Sequence, residues 1–321
     1  MVTRETCSIL TPGVSGHGVV DKMYNQKDHR ILCAIVEECL HLNLEGDNLF
    51  LHEEEIGKKM VEGGNTEAVI IGLCVVDTVL GTFHLGQFID DDQRTGLRTQ
   101  LLRFNPTEFV IHKNALLPHT IQLIHQECPL ALLSYVDPNS SYSIKDLTTL
   151  VAQKRLFEAD DQPERGNAWP VLLERMLQND KSFNPTYHCC LESLYLASAY
   201  LNRCCVANLL MCQRKFYLID NIDSGKKKLS YIIISLRLEK DMLVNLPAYQ
   251  GSGSSEEVPV EQKTMILDAI TLKNLDILPD PTNPAIHSLF QYVNHTVTPF
   301  GKRLLLQWIS QPLMDIQEIN E

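Results

Sequence analysis

Carboxylates standing where apolar runs end are the first residues in this sequence that could do chemistry. Asp77 follows the run 67–76, Asp90, Asp91 and Asp92 follow 82–88, and Asp137 follows 130–136. Strand-end acids of this kind can hold two divalent ions and cut a phosphodiester. The same acids have a plainer use. Asp77 opens Asp-Thr-Val-Leu-Gly, a hairpin turn, and the aspartate trio precedes a helix, whose positive end favours negative charge. His112 stands where a third acid would be wanted, so capping is the better account of these residues and a metal-dependent nuclease the alternative.

His188, Cys189, Cys190, Cys204, Cys205 and Cys212 invite a second reading, as zinc ligands. The ten cysteines include no C-x-x-C pair, and adjacent cysteines on a helix point about 100° apart. Small apolar packing in a reducing compartment therefore fits them better, and no metal ligand is assigned. Lys226-Lys227-Lys228 could touch nucleic acid but reads as a solvated loop. Phe300 and Trp308 could stack on bases, yet they recur at helical spacing among leucines, which predicts core. Arg303 is expected to tie helices together. No catalytic, cofactor-binding or metal residue is assigned, and DNA-contacting residues are left unknown.

The elements that must position these residues change character along the chain. Two apolar strands, 67–76 and 82–88, a helix over 93–104, a strand Glu108–His112, a helix 118–126 and a strand 130–136 predict a mixed α/β layer structure. Beyond Tyr142 the pattern turns helical. Leu191, Leu194, Ser198, Leu201, Cys205, Leu209 and Cys212 recur at steps of three and four, which predicts one helix of about 30 residues and 45 Å. Thr298-Pro299 is a cap-and-first-turn signal for a helix carrying Phe300, Leu304 and Trp308. Asp315 with Glu318 three residues on predicts another helix start. A capped helix with only two turns of sequence cannot hold itself together, so the chain is expected to be part of something longer.

Expected boundaries are a tail of a preceding domain over 1–18, an irregular linker over 19–66, an α/β domain over 67–150 and a helical region over 151–321 with an irregular insertion at 222–262. Apolar residues make up 44% of the chain, enough for two cores, and no run of 18 or more apolar residues exists, so no membrane partner is expected. The N-terminus carries no apolar signal core. Charge is uneven: residues 1–180 hold 15 Lys and Arg against 26 Asp and Glu, and residues 181–321 hold 13 against 14. A surface gripping phosphates needs the opposite balance from that of the first half.

Four segments in order carry a family resemblance: Arg4-Glu-Thr-Cys-Ser-Ile-Leu-Thr-Pro-Gly13, Val76-Asp-Thr-Val-Leu-Gly-Thr-Phe-His-Leu-Gly-Gln-Phe-Ile-Asp-Asp91, Met265-Ile-Leu-Asp-Ala-Ile-Thr-Leu-Lys-Asn-Leu-Asp276, and Thr298-Pro-Phe-Gly-Lys-Arg-Leu-Leu-Leu-Gln-Trp-Ile-Ser-Gln-Pro312-Leu. The last resembles the pattern Thr-x-x-Gly-x-Arg-Leu-Leu-x-x-Trp with a following Pro-Leu that opens the core of MutS-type DNA mismatch-repair proteins. Leu-Gly-Gln-Phe and Thr-Pro-Phe-Gly-Lys-Arg look most like the eukaryotic branch that reads mismatches within the MutSα heterodimer.

The resemblance implies α/β plus all-α architecture: an RNase H-like mixed-sheet connector (67–150) followed by a long-helix lever and core region. It also implies an intact nuclear parent that hydrolyses ATP with Mg²⁺, pairs with another MutS homologue, recruits MutL-type proteins and binds mismatched DNA through parts outside this chain. Neither of the family's functional motifs can be carried onto a residue here. None of the ten phenylalanines has Glu two positions later, and Gly-Lys at 57, 225 and 301 is never followed by Ser or Thr. The chain itself is therefore expected to be no enzyme and to hold no cofactor. It would relay ATP-driven change to mismatch binding, with an RNase H-like nuclease or a stand-alone scaffold as alternatives.

Overall fold

A computed structural model describes residues 11, 13–14, 30–39, 69–113, 115–136, 144–158, 169–176, 187–219, 264–265, 267–279, 287–314 and 316–320. At its centre is a mixed sheet of six strands: β1 (Ile31–Cys39), β2 (Val69–Asp77), β3 (Thr82–Asp90), β4 (Glu108–His112), β5 (Leu132–Val136) and β6 (Lys215–Leu218). Their order is β5-β4-β1-β2-β3-β6. β2 runs antiparallel to both β1 and β3, while β4 lies parallel to β1, β5 to β4 and β6 to β3.

Helices cover both faces, which explains why β2 reads Val-Ile-Ile-Gly-Leu-Cys-Val-Val without a polar residue. On one face Ile31, Cys33, Ile35, Ile71, Leu73, Val75, Phe109 and Ile111 pack under α1 (Thr95–Phe104) and α2 (Pro118–Glu127). On the other face Leu32, Ala34, Cys74, Val76, Phe83, Leu85 and Val110 pack under α3 (Ile144–Lys154), α4 (Val171–Met176), α5 (His188–Arg203) and α6 (Ala207–Met211). The alternation along each strand is that of a pleat buried twice.

The helix expected to run some 30 residues is a 16-residue helix, α5, laid across β1 and β2. It stops because Cys205 takes a left-handed backbone (φ 62°), and the five-residue α6 restarts after it. Both belong to the α/β layers, as does β6, so among the described residues the change to helix expected at 151 falls inside the sheet layers, which include Ile219. The linker expected over 19–66 likewise contains β1, a central strand whose first six residues are buried. The insertion 222–262 and Asp137 lie outside the described residues.

The C-terminal part holds α7 (Ala269–Asn274), α8 (Leu289–Val293), α9 (Pro299–Ser310) and α10 (Ile316–Asn320). Thr298 caps α9 as expected, its hydroxyl accepting from the Gly301 N–H at 3.3 Å. Phe300 and Trp308, expected in a core, are 67% and 62% exposed. The described residues lay no layer over that side of α9, so its helical apolar stripe faces outward.

Candidate functional site

The sheet domain and the C-terminal helices meet at a seam built from polar side chains of α1 and α2. Glu127, at the end of α2, is almost fully buried and takes Lys273 Nζ of α7 at 2.7 Å and Arg98 Nε of α1 at 3.3 Å. One turn away, the Ala269 N–H donates to Thr99 Oγ1 at 3.2 Å, while that hydroxyl donates to the Thr95 carbonyl at 2.9 Å. Arg103 Nη2 reaches Gln311 Oε1 at 2.9 Å, joining α1 to the C-cap of α9. Residues 264–265 bridge the far side, where the Met265 N–H donates to the Pro312 carbonyl at 2.7 Å.

Asp268 starts α7 at the right place for these contacts. Its carboxylate accepts from the Thr271 N–H at 2.8 Å, and those bonds to Thr271 hold its pKa below the ordinary carboxylate value. The cleft lined by Thr99, Gln100, Arg103, Met265, Leu272 and Gln311 has room for about 10 Å³, at most one water. That cleft leaves no space for a small-molecule substrate.

The strand-end acids do not converge. Asp77 pairs across from Ile31 at one end of the β2–β3 hairpin and Asp90 across from Val69 at the other. Strands of nine residues put them about 26 Å apart, against the ~4 Å of a two-metal pair. Each is committed locally. Asp77 Oδ1 accepts from the Val79 and Leu80 N–H groups at 2.8 and 3.0 Å, closing a turn in which Gly81 has φ +66°. Asp90 accepts from the Gly96 and Leu97 N–H groups at 2.9 and 2.7 Å, and Asp91 from the Thr95 N–H at 2.9 Å, satisfying the first turn of α1. Burial raises the Asp90 pKa, and its backbone donors offset part of the rise. His112 ends β4, its pKa lowered chiefly by burial. The capping reading accounts for Asp77, Asp90 and Asp91, and the nuclease geometry is absent among the described residues.

The cysteines divide in the same way. Cys190 is in the core beneath α5 with its thiol pushed up to about 12 by burial, and burial lifts Cys204 to about 11. Cys189, its neighbour, turns the other way toward Glu38. Lys226–Lys228 lie outside the described residues, and Arg303 is partly buried on α9.

Two buried carboxylates escaped sequence reasoning. Glu37 Oε1 accepts from Arg94 Nε and Nη2 at 3.2 and 3.0 Å and from Thr120 Oγ1 at 2.7 Å, while Oε2 accepts from the Leu117 N–H at 2.8 Å. Glu108, fully buried on β4, accepts from Thr11 Oγ1, the Gly13 N–H, Ser134 Oγ and Tyr200 Oη at 2.5, 2.9, 2.7 and 2.5 Å. An acid inside an apolar strand was the available signal, since such a charge must be met by donors from elsewhere.

A double-faced mixed sheet joined through a polar seam to short capped helices agrees with the comparisons by sequence. The family model described as MutS domain II matches residues 60–156, and that described as MutS domain III matches residues 270–321. Over these two stretches the chain is similar to the MutS family.

Within it the resemblance is to Msh6. The DNA mismatch repair protein Msh6 of Homo sapiens is 26% identical over 328 residues, covering 100% of this chain and 21% of the relative. That of Gallus gallus is 23% identical over 327 residues, with coverage of 100% and 21%. The probable Msh6 of Drosophila melanogaster is 27% identical over 255 residues, with coverage of 78% and 19%. The chain thus spans about a fifth of the length of these relatives. Among the described residues no helix is long and apolar enough to cross a membrane.

Proposed function

We propose that this chain serves DNA mismatch repair as the connector and the start of the lever and core of a Msh6-like protein, passing conformational change between a nucleotide-driven part and a mismatch-reading part. The connector is RNase H-like: the order β5-β4-β1-β2-β3, with an antiparallel β1–β2–β3 meander and β4 and β5 parallel to β1, supports that reading. The observation that carries the function is the seam at Glu127, where one buried carboxylate is gripped from α1 and α7 at once. Rigid layers joined by a few directional contacts move as bodies, and a relay requires that.

The whole protein would act in the nucleus, hydrolyse ATP with Mg²⁺, pair with a second MutS homologue, engage MutL-type proteins and hold mispaired DNA through surfaces beyond these residues. A DNA grip elsewhere accords with the excess of acids in residues 1–180.

The test uses the full-length protein carrying this segment. Glu127→Lys is expected to leave mismatch affinity without nucleotide within about threefold and to slow ATP-induced release from a mismatched duplex. Adding Lys273→Glu should restore much of that rate. Unchanged release in the single variant would sink the relay. So would mismatch-selective binding, or Mg²⁺-dependent cleavage, by the 321-residue chain alone.

A further inference from the structure

We infer that Glu38, His188 and Cys189 form a divalent-metal site of the zinc class that pins the start of α5 to the end of β1. Ligand atoms of the three residues all lie within 4.8 Å of one another. They come from two elements far apart in sequence: Glu38 from β1, and His188 and Cys189 from the first turn of α5. Cys189 Sγ already stands 3.3 Å from Glu38 Oε2, donating to it.

Thiolate, imidazole and carboxylate together are a borderline donor set that suits Zn²⁺ and excludes the harder Mg²⁺ and Ca²⁺. Metal–ligand bonds of about 2.0–2.3 Å require donors roughly 3.5 Å apart, so closing the site takes a shift of about 1 Å, within reach of the partly exposed Glu38 side chain. Three protein ligands leave a fourth position for water. Glu192, one turn along α5, has a carboxylate oxygen 3.7 Å from His188 Nδ1, the place of a carboxylate that orients a metal-bound imidazole.

The surroundings are built to hold these residues still. A Cβ on Gly72 of β2 would come within 2.1 Å of the Cys189 carbonyl oxygen, so the helix start is seated where only glycine leaves room. Gln87 Oε1 accepts from the Cys190 N–H at 3.0 Å, fixing the same turn. Val36, Ile70 and Ile89 pack around Cys189, giving the thiol a dry back wall with Glu38 beside it. The neighbouring thiol of Cys190 is directed into the main core, so the two adjacent cysteines do not compete for one ion. On binding, the Cys189 thiol gives its proton to solvent and its sulfur lone pair to the metal, one proton released per ion.

The experiment is a titration of the chelator-treated 321-residue chain with Co²⁺ and then Zn²⁺. One equivalent of Co²⁺ should produce a thiolate-to-cobalt charge-transfer band with the d–d intensity of a tetrahedral site, and Zn²⁺ should displace it. Cys189→Ser should abolish the band, while Cys205→Ser and Cys212→Ser should keep it. His188→Gln and Glu38→Gln, at partly exposed positions, should each weaken the metal at least tenfold, and they decide the matter should Cys189→Ser fail to fold. The site is refuted by absence of the band in the wild-type chain, by its survival in Cys189→Ser, or by wild-type affinity in both Gln variants.

Discussion

The Glu37–Arg94 pair offers the sharpest stability test, because both side chains are nearly dry, at 1% and 3% exposure. Breaking a buried pair by removing one partner costs about 3–5 kcal/mol, since the survivor keeps its charge without its counter-charge. The two truncations are not equivalent here. Without Glu37, the Arg94 guanidinium loses its counter-ion, and the Thr120 hydroxyl and the Leu117 N–H lose an acceptor. Without Arg94, the carboxylate keeps those two donors. Glu37→Ala should therefore cost about 4–5 kcal/mol and Arg94→Ala about 3 kcal/mol, at ~1 kcal/mol per hydrogen bond.

Arg94 also sits at φ 52°, a left-handed backbone that costs a non-glycine residue about 1 kcal/mol. Arg94→Gly should accordingly be milder than Arg94→Ala by about that amount. Urea unfolding of the chain at neutral pH, with m held constant across variants, measures all three, and the Glu37→Ala/Arg94→Ala double variant should fall short of additivity by about 2 kcal/mol. Single losses below about 1 kcal/mol, or strict additivity, would show that the pair behaves as a solvated surface contact and that the argument from burial is wrong.

Two further outcomes follow from other positions. Gly72→Ala should destabilise the chain by at least 1–3 kcal/mol in the same urea assay, because the added carbon meets the Cys189 carbonyl at 2.1 Å and α5 must lift off β2; unchanged stability would mean that the close approach is relaxed in solution. Tyr200, raised from 10.0 to about 12 by burial first and by its bond to Glu108 second, should ionise as a late phase in a phenolate absorbance titration. Its folded value exceeds its unfolded one, so its contribution to stability is intact below pH 10.0 and is lost as the pH climbs toward 12. Tyr200→Phe should remove that late phase, and a midpoint near 10 would refute the assignment.

Much of the fold was legible where local chemistry and tertiary placement agree. The β2–β3 hairpin, the acids opening α1 and the Thr298 cap of α9 follow from turn residues, helix-end charge and capping, which act over a few residues. β1 was missed although Ile-Leu-Cys-Ala-Ile-Val is an apolar run, because charged and polar sequence on both sides hid a strand whose partners lie 30 or more residues away. The length of α5 was overread because periodicity does not register a single left-handed residue: Cys205 adopts φ 62° without being glycine or asparagine.

Phe300 and Trp308 show the reverse, a correct periodic stripe whose burial is not supplied by the described residues. Of the seam, the cap at Asp268 was readable in principle, since Asp before a helical run is a start signal. The grip of Lys273 on Glu127 was not, because pairing across 146 residues leaves no mark in either neighbourhood.

Glu108 makes the sheet interior mechanically continuous with the chain that enters it. Its four donors come from residues 11 and 13, from β5 and from α5, so a tug on residues 11–13 arrives at β4, one strand in from the edge of the sheet. Strand and helix then share one anchor. A pull strong enough to free Thr11 and Gly13 strips donors from a dry carboxylate, and the bonds to Tyr200 and Ser134 must shift in answer.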